Sequence, residues 1–159
     1  MNQSPLTSPL KAATQAIVKK SEAAFWKQMK AQLSRVPSTK TWRAMRIEAT
    51  IGAGIPDVEL CDDMGAFHKV ELKSQGSGAA VALRPSQVAY MARHGHASVW
   101  ILVRKAGRGA DCTISLYHAR QAADLAIKGL HLAPVLRLES PKTWAPIFEA
   151  IAERKGVDG

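Results

Sequence analysis

Three residues in the middle of the chain, Asp57, Glu71 and Lys73, have the types and spacing that phosphodiester hydrolysis requires. They lie in residues 54–73, GIPDVELCDDMGAFHKVELK, where apolar and polar residues alternate in both halves. This alternation predicts two short strands joined by a turn, with the apolar side chains facing a core. Folding would then gather the three residues at one end of the hairpin. Two carboxylates and a lysine on neighbouring strands are suited to metal-dependent hydrolysis of a phosphodiester.

The elements before the hairpin are predicted to be a helix and a strand. Residues 22–33 repeat apolar side chains near a 3.6-residue period, after Ser21 as N-cap and before Pro37. Residues 41–50 favour a strand. Residues 1–20 are interpreted as an unstructured or loosely packed basic arm, with helix only in its last part. Residues 21–159 are predicted to be a single domain whose core covers about residues 21–118.

The elements after the hairpin predict a strand–helix–strand crossover. Residues 74–82 are small and predict a mobile loop, and Pro85 is placed to begin a helix. The apolar run at residues 99–103 predicts a central strand covered on both faces. A further strand at residues 113–117 follows. Helices around residues 119–128 and 142–154 are predicted to cover the sheet as part of a C-terminal extension.

The charge of the chain points to a polyanionic partner. It has 22 Lys and Arg residues against 13 Asp and Glu, a net charge of +9 at pH 7. Such an excess attracts nucleic acid above all, although an anionic membrane surface or simple solubility also accounts for it. The sequence contains no apolar run of membrane-spanning length and no signal peptide, and Cys61 and Cys112 are interpreted as reduced thiols. We therefore expect a cytoplasmic location, in the host cytoplasm if a phage encodes the protein.

In this order, helix, three strands, helix and strand, the chain resembles the PD-(D/E)XK nuclease superfamily. The matching residues are Pro56-Asp57 and Glu71-Leu72-Lys73, with fourteen residues from Asp57 to Glu71. GIPDV, VELK and LRPSQ at residues 83–87 look most like the VRR-NUC group, and are also similar to small phage proteins related to Holliday junction resolvases. The resemblance covers roughly residues 21–105. It implies an α/β fold with a restriction-endonuclease-like αβββαβ core, a mixed central sheet flanked by helices.

The resemblance also implies a role for each matching residue. Asp57 and Glu71 would bind Mg²⁺ or Mn²⁺ together with the carbonyl of Leu72, since hard cations prefer oxygen ligands. Lys73 would orient the attacking water or neutralise charge on the phosphate. Gln87 matches the glutamine that follows the ExK strand in this group, where it is associated with the active site.

A further acidic residue is expected at the site, and two candidates remain open. Glu22 fits the family position on the first helix. It is also explained as a carboxylate in the first turn of the predicted helix, where negative charge interacts favourably with the helix dipole. Glu48 lies just ahead of the PD motif and is equally explained as an ion-pair partner of a nearby arginine. Gln87 has a comparable alternative, because a glutamine three residues into a helix caps its start.

The functional hypothesis is a Mg²⁺-dependent endonuclease that cuts branched or structured DNA, in the manner of a junction resolvase. Symmetric cutting of two strands implies a homodimer. The sequence contains no helix-turn-helix pattern or zinc finger, which favours recognition of DNA shape and backbone. The alternatives are a restriction, repair or nicking nuclease with another DNA substrate, or a non-catalytic DNA-binding module on the same fold. The predicted phosphate contacts are Arg43, Arg46, Arg84 and Lys69.

Overall fold

A six-stranded mixed sheet forms the centre of the molecule. The computed structural model describes residues 8–47, 54–109 and 111–153. The strands are β1 (Arg43–Arg46), β2 (Val58–Cys61), β3 (Phe67–Gln75), β4 (Val99–Ala106), β5 (Cys112–His118) and β6 (Leu136–Glu139), and they are ordered in the sheet as in the chain. The helices are α1 (Pro9–Arg35), α2 (Pro85–Arg93), α3 (Ala122–Lys128) and α4 (Ala145–Ala152). The predicted mixed α/β fold is confirmed at this level.

Strand pairing confirms the predicted hairpin and crossover. β2 and β3 are antiparallel, with Val58 opposite Val70. β3 and β4 are parallel, and α2 lies between them in the chain. A parallel pair needs such a crossover, because its strands begin at the same edge of the sheet. The remaining neighbouring strands pair antiparallel.

The sheet separates two apolar clusters, one on each face. On one face, Val70 and Leu72 pack in the cluster of α1 and α4. On the other, Ile101 and Val103 pack with Met91 of α2 and residues of α3. β4 contributes to both clusters, which confirms the predicted central strand. Since side chains alternate along β3, Glu71 faces the α2 side, opposite to its two apolar neighbours.

Helix α1 is longer than the periodicity predicts. Ser8 is its N-cap and accepts a hydrogen bond from the Lys11 amide at 3.4 Å, and Pro9 occupies the first position. The predicted start at Ser21 is wrong, because the Ser8-Pro9 pair provides the same start signals thirteen residues earlier. Ser21 instead hydrogen-bonds the hydroxyl of Ser74 in β3 at 2.6 Å. Residues 1–7 lie outside the described residues.

The C-terminal third of the chain completes the sheet and its core. Trp144 and Phe148 of this region are buried in the same cluster as Phe25 of α1, with 5.7 Å between the ring centroids of Phe25 and Trp144. β6, which the sequence analysis did not predict, pairs with β5. No helix within the described ranges is long and apolar enough to cross a lipid bilayer.

Gly54 determines the path of the backbone just before Asp57. Gly54 has φ +65° and lies so close to the carbonyl of Ser86 that a Cβ atom would overlap it. The segment that leads into β2 is thereby packed against the first turn of α2. Only glycine combines this left-handed conformation with such a close backbone approach.

We expect Gly54→Ala to destabilise the protein by at least about 2 kcal/mol, because it adds a backbone clash to conformational strain. Gly65→Ala is the matched control: Gly65 also has positive φ, +79°, but no atom lies within 4 Å of the place that its Cβ would occupy. That variant should lose only about 1 kcal/mol. Urea unfolding followed by circular dichroism measures both. Equal losses would contradict the packing assigned to Gly54.

Candidate active site

The structure brings Asp57, Glu71 and Lys73 together at one end of the β2–β3 hairpin. The Val58–Val70 pair is the last of the ladder, and one step beyond it Asp57 follows opposite Glu71. The Asp57 carboxylate (Oδ2) accepts a hydrogen bond from the Leu72 amide at 3.4 Å. Lys73 Nζ lies 3.3 Å from Glu71 Oε1. Lys73 and Glu71 are two residues apart on one strand, so both project from the same face.

Gln87 connects these side chains to helix α2. Its Nε2 donates to Glu71 Oε1 at 2.6 Å, and its Oε1 accepts from Lys73 Nζ at 3.2 Å. The same Oε1 accepts from the backbone amide of Arg84 at 2.9 Å. Gln87 therefore caps the start of α2, which is one of its two sequence interpretations, and it also contacts Glu71 and Lys73.

Glu71 is buried, and its pKa is strongly raised. Its residue is 1% exposed, and within the described chain its Oε2 has no hydrogen-bond partner. Burial first, and then the neighbouring Asp57, raise the pKa of Glu71 from 4.5 to about 7, against the opposing effect of Lys73. A buried carboxylate with an unpaired oxygen is unfavourable in the charged form unless a cation approaches it.

Glu22 faces the same cluster from helix α1. Burial raises the pKa of Glu22; Lys73 lowers it, Asp57 raises it, and Arg46 and Arg84 lower it. The adjacent Ser21–Ser74 hydrogen bond fixes this turn of α1 against β3. The sequence analysis missed this contact, since residues 53 positions apart have no local signal. The rival residue Glu48 lies outside the described residues.

The residues at the site fit a hard divalent cation in part. Glu71 Oε2 lacks a partner among the described residues, and the Asp57 carboxylate lies next to it across the hairpin. Because the N–H and C=O of a strand residue point to the same side, the Leu72 amide bond to Asp57 places the Leu72 carbonyl on that side too. Within residues 8–47, 54–109 and 111–153, no group of three His, Cys, Asp or Glu side chains is arranged to hold a metal. The potential ligands described are thus Asp57, Glu71 and the Leu72 carbonyl.

The four basic residues predicted to contact phosphates divide into two pairs. Arg46 and Arg84 are exposed and act electrostatically on Glu22 at the site. Arg43 is exposed at the other end of β1, where it pairs with Cys61 of β2. Lys69 Nζ bonds Glu59 Oε2 at 2.8 Å, so its charge is already paired within the sheet.

Comparison of the chain with protein-family models, with curated proteins and with solved structures finds no match.

The raised pKa of Glu71 makes a prediction about stability. Since the folded state holds this proton up to about pH 7 and the unfolded chain releases it near 4.5, the stabilisation is complete below 4.5 and is lost as pH rises through 7. The loss is on the order of 3 kcal/mol. Glu71→Gln mimics the protonated carboxyl and should therefore abolish this pH-dependent loss of stability. At pH 8 the variant should unfold at a higher urea concentration than wild type.

Glu149→Gln is the matched control, since Glu149 is exposed on α4. Urea unfolding at pH 5 and pH 8 gives the difference for each variant. If Glu71→Gln loses as much stability as wild type between these two values, Glu71 is charged throughout and the raised pKa is wrong.

Proposed function

We propose that this protein is a metal-dependent DNA endonuclease of the PD-(D/E)XK type. The observation that carries the proposal is the Asp57–Glu71–Lys73 cluster, in which Glu71 is buried with one carboxylate oxygen unpaired within the described chain. Perturbed carboxylates of this kind are concentrated at functional sites. A net charge of +9 supports a polyanionic substrate.

The order of elements supports the same assignment. From α1 to β4 the chain runs helix, three antiparallel strands, helix and a strand parallel to β3. This is the order of the restriction-endonuclease-like αβββαβ core, with Asp57 before the second strand and Glu71 and Lys73 on the third. Under the resemblance, Glu22 of α1 would take the position of the family's early acidic residue, with Glu48 as the alternative.

In the proposed mechanism, Asp57, Glu71 and the Leu72 carbonyl would hold Mg²⁺ or Mn²⁺, with Glu22 or Glu48 as a further acidic residue. When bound, the ion would act as a Lewis acid on the phosphate and lower the pKa of a bound water. Lys73 donates hydrogen bonds from Nζ, which neutralises charge on the phosphoryl oxygens or orients the attacking water. Gln87 positions both Glu71 and Lys73, since it contacts each of them directly.

The proposed substrate is branched or structured DNA, cut by a homodimer with two sites in the cytoplasm of the cell or phage host. The junction preference and the dimer come from the resemblance to resolvases. Arg46 and Arg84 would contact phosphates beside the cluster, because both are exposed and act on Glu22. Backbone contacts of this kind position DNA without reading its sequence.

We expect the wild-type protein to cut DNA only with Mg²⁺ or Mn²⁺, and four-way junctions faster than flaps, linear duplex or single strands. Lys73→Met and Asp57→Asn should each slow cleavage about 100-fold or more, because each removes a group that acts on the transition state. Lys40→Gln is the control for loss of one positive charge: Lys40 is exposed and precedes β1, at the opposite end of the hairpin. Gel assays of labelled substrates give the relative rates.

The pattern of rates separates the alternatives. Faster cutting of duplex or flap DNA would retain the chemistry and replace the junction preference with a restriction, repair or nicking role. DNA binding that is the same with and without metal, with no cleavage of any substrate, would identify a non-catalytic binding module and end the nuclease proposal.

Metal affinity should depend on pH, because Glu71 must lose its proton to bind a cation. With a pKa of about 7, affinity for Mn²⁺ should rise approaching tenfold per pH unit below 7 and level off above it. Calorimetric titration at pH 6, 7 and 8 measures this. Asp57→Asn should abolish binding, and the control Glu149→Gln should leave the pH profile unchanged. Affinity that is constant from pH 6 to 8 would exclude Glu71 as a ligand.

A further inference from the structure

A cavity separate from the Asp57–Glu71–Lys73 cluster lies on the same face of the sheet as Glu71, beyond strand β4. It has a volume of about 210 Å³. Six of its lining residues are of polar type and come from the C-terminal part of β4, from β5 and β6, and from the turn after α3: Lys105, Thr113, Ser115, His131, Arg137 and Glu139. With roughly 30 Å³ per water molecule, this volume accommodates about seven waters or a small polar ligand.

The strand register explains why these side chains meet. Lys105 pairs with Thr113, and Thr113 pairs with Glu139, which forms one row across three strands. Ser115 pairs with Arg137 in the next row. Directly opposed residues in antiparallel strands lie about 5 Å apart on one face. The rows therefore place cationic and hydroxyl side chains side by side.

Arg137 is held at the cavity by three hydrogen bonds, which do not use all of its N–H donors. Its Nε donates to Ser115 Oγ at 3.0 Å, and its Nη2 donates to Tyr117 Oη at 3.2 Å and to the Leu130 carbonyl at 3.0 Å. Guanidinium has five N–H donors, so these contacts within the described chain leave Nη1 for a ligand. Three contacts fix the orientation of the group in advance, which lowers the entropic cost of binding.

Ser115 provides a buried hydroxyl group that can donate a hydrogen bond to a ligand. It is 1% exposed and accepts the Arg137 hydrogen bond, so among the described residues its own hydrogen remains for an acceptor inside the cavity. Lys105 adds an ammonium group and Thr113 a second hydroxyl. The cavity lining has two cationic side chains, Arg137 and Lys105, and one carboxylate, Glu139, so the donors outnumber the acceptors. An anion with several acceptor oxygens is the ligand that satisfies such a set.

We propose that this cavity binds a phosphate group through Arg137, Lys105 and the hydroxyls of Ser115 and Thr113. A phosphate carries several strong acceptor oxygens, whereas an apolar ligand would leave the Ser115 and Arg137 donors unpaired. Phosphate binding here does not depend on nuclease activity and goes beyond it. Only the source of the phosphate, a DNA strand running past the cluster, rests on the proposed function.

The position of the cavity suits a phosphate other than the one being cut. Lys73 pairs with Val103, Val103 with Ser115, and Ser115 with Arg137, so one row of the sheet connects the two places. Three strand spacings separate Lys73 from Arg137, about 14 Å. This distance is several times the axial rise per nucleotide, so the two places would contact different phosphates.

The test is a titration of the full-length protein with inorganic phosphate, without metal, followed by ¹H–¹⁵N NMR. The amides of Thr113, Ser115 and His131 should shift in wild type. Lys105→Gln should weaken binding about tenfold, the equivalent of one charge-assisted hydrogen bond. Ser115→Ala should also weaken it. Lys40→Gln removes the same charge at the far end of the sheet and should change affinity about twofold or less.

Two further titrations identify the source of the phosphate and distinguish this site from the Asp57–Glu71–Lys73 cluster. A thymidine dinucleotide with a 5′-phosphate that binds more tightly than the same dinucleotide without it assigns a terminal phosphate; equal binding assigns an internal phosphodiester. Asp57→Asn should leave the phosphate shifts unchanged, whether or not the protein cuts DNA. Absence of shifts at these amides, or shifts equally strong in Lys105→Gln and wild type, would overturn the inference.

Discussion

The burial of Glu71 beside Asp57 is the constraint on which the rest of the site depends. Burial and the neighbouring Asp57 carboxylate both disfavour the charged form of Glu71. The fold offsets this with Lys73, 3.3 Å from Glu71, and with the amide of Gln87 at 2.6 Å. One Glu71 oxygen remains unpaired among the described residues. With its pKa raised to about 7, the Glu71 carboxyl holds a proton at low pH, and in the proposed function a divalent cation would compete with that proton.

The site forms where β2 is too short to pair with the whole of β3. β2 begins at Val58, so β3 continues past it without a backbone partner on that side. The Leu72 amide is therefore satisfied by a side chain, Asp57, rather than by a ladder hydrogen bond. Gly54 packs the preceding segment against α2, which carries Gln87. Strand alternation, a strand end and one glycine thus place carboxylate, carbonyl and amine at a single edge.

Sequence reasoning predicted what local patterns encode, and missed what distant contacts create. Alternation around Asp57 and Glu71 predicted the hairpin, and the apolar run at residues 99–103 predicted β4. β6 is four residues long with two of them exposed, so its pattern carries little signal. The Ser21–Ser74 bond and the hydrogen bonds that connect Gln87 to Glu71 and Lys73 follow only from tertiary packing. Glu48 stays an open alternative to Glu22 because it lies outside the described residues.

The two ends of the hairpin differ in a way that supports the assignment. At the turn, burial alone would raise the pKa of Asp62, but hydrogen bonds from His68, Ala66 and Met64 hold that pKa below its usual value. His68 Nε2 lies 2.8 Å from Asp62 Oδ2, and two backbone amides donate to Oδ1 at 2.9 Å. Every oxygen of this carboxylate is satisfied, as expected of a structural residue. Glu71 has the opposite environment, more buried and less satisfied, which lowers the stability of the fold. Such a loss of stability is reasonable where a cation or substrate supplies the missing partner.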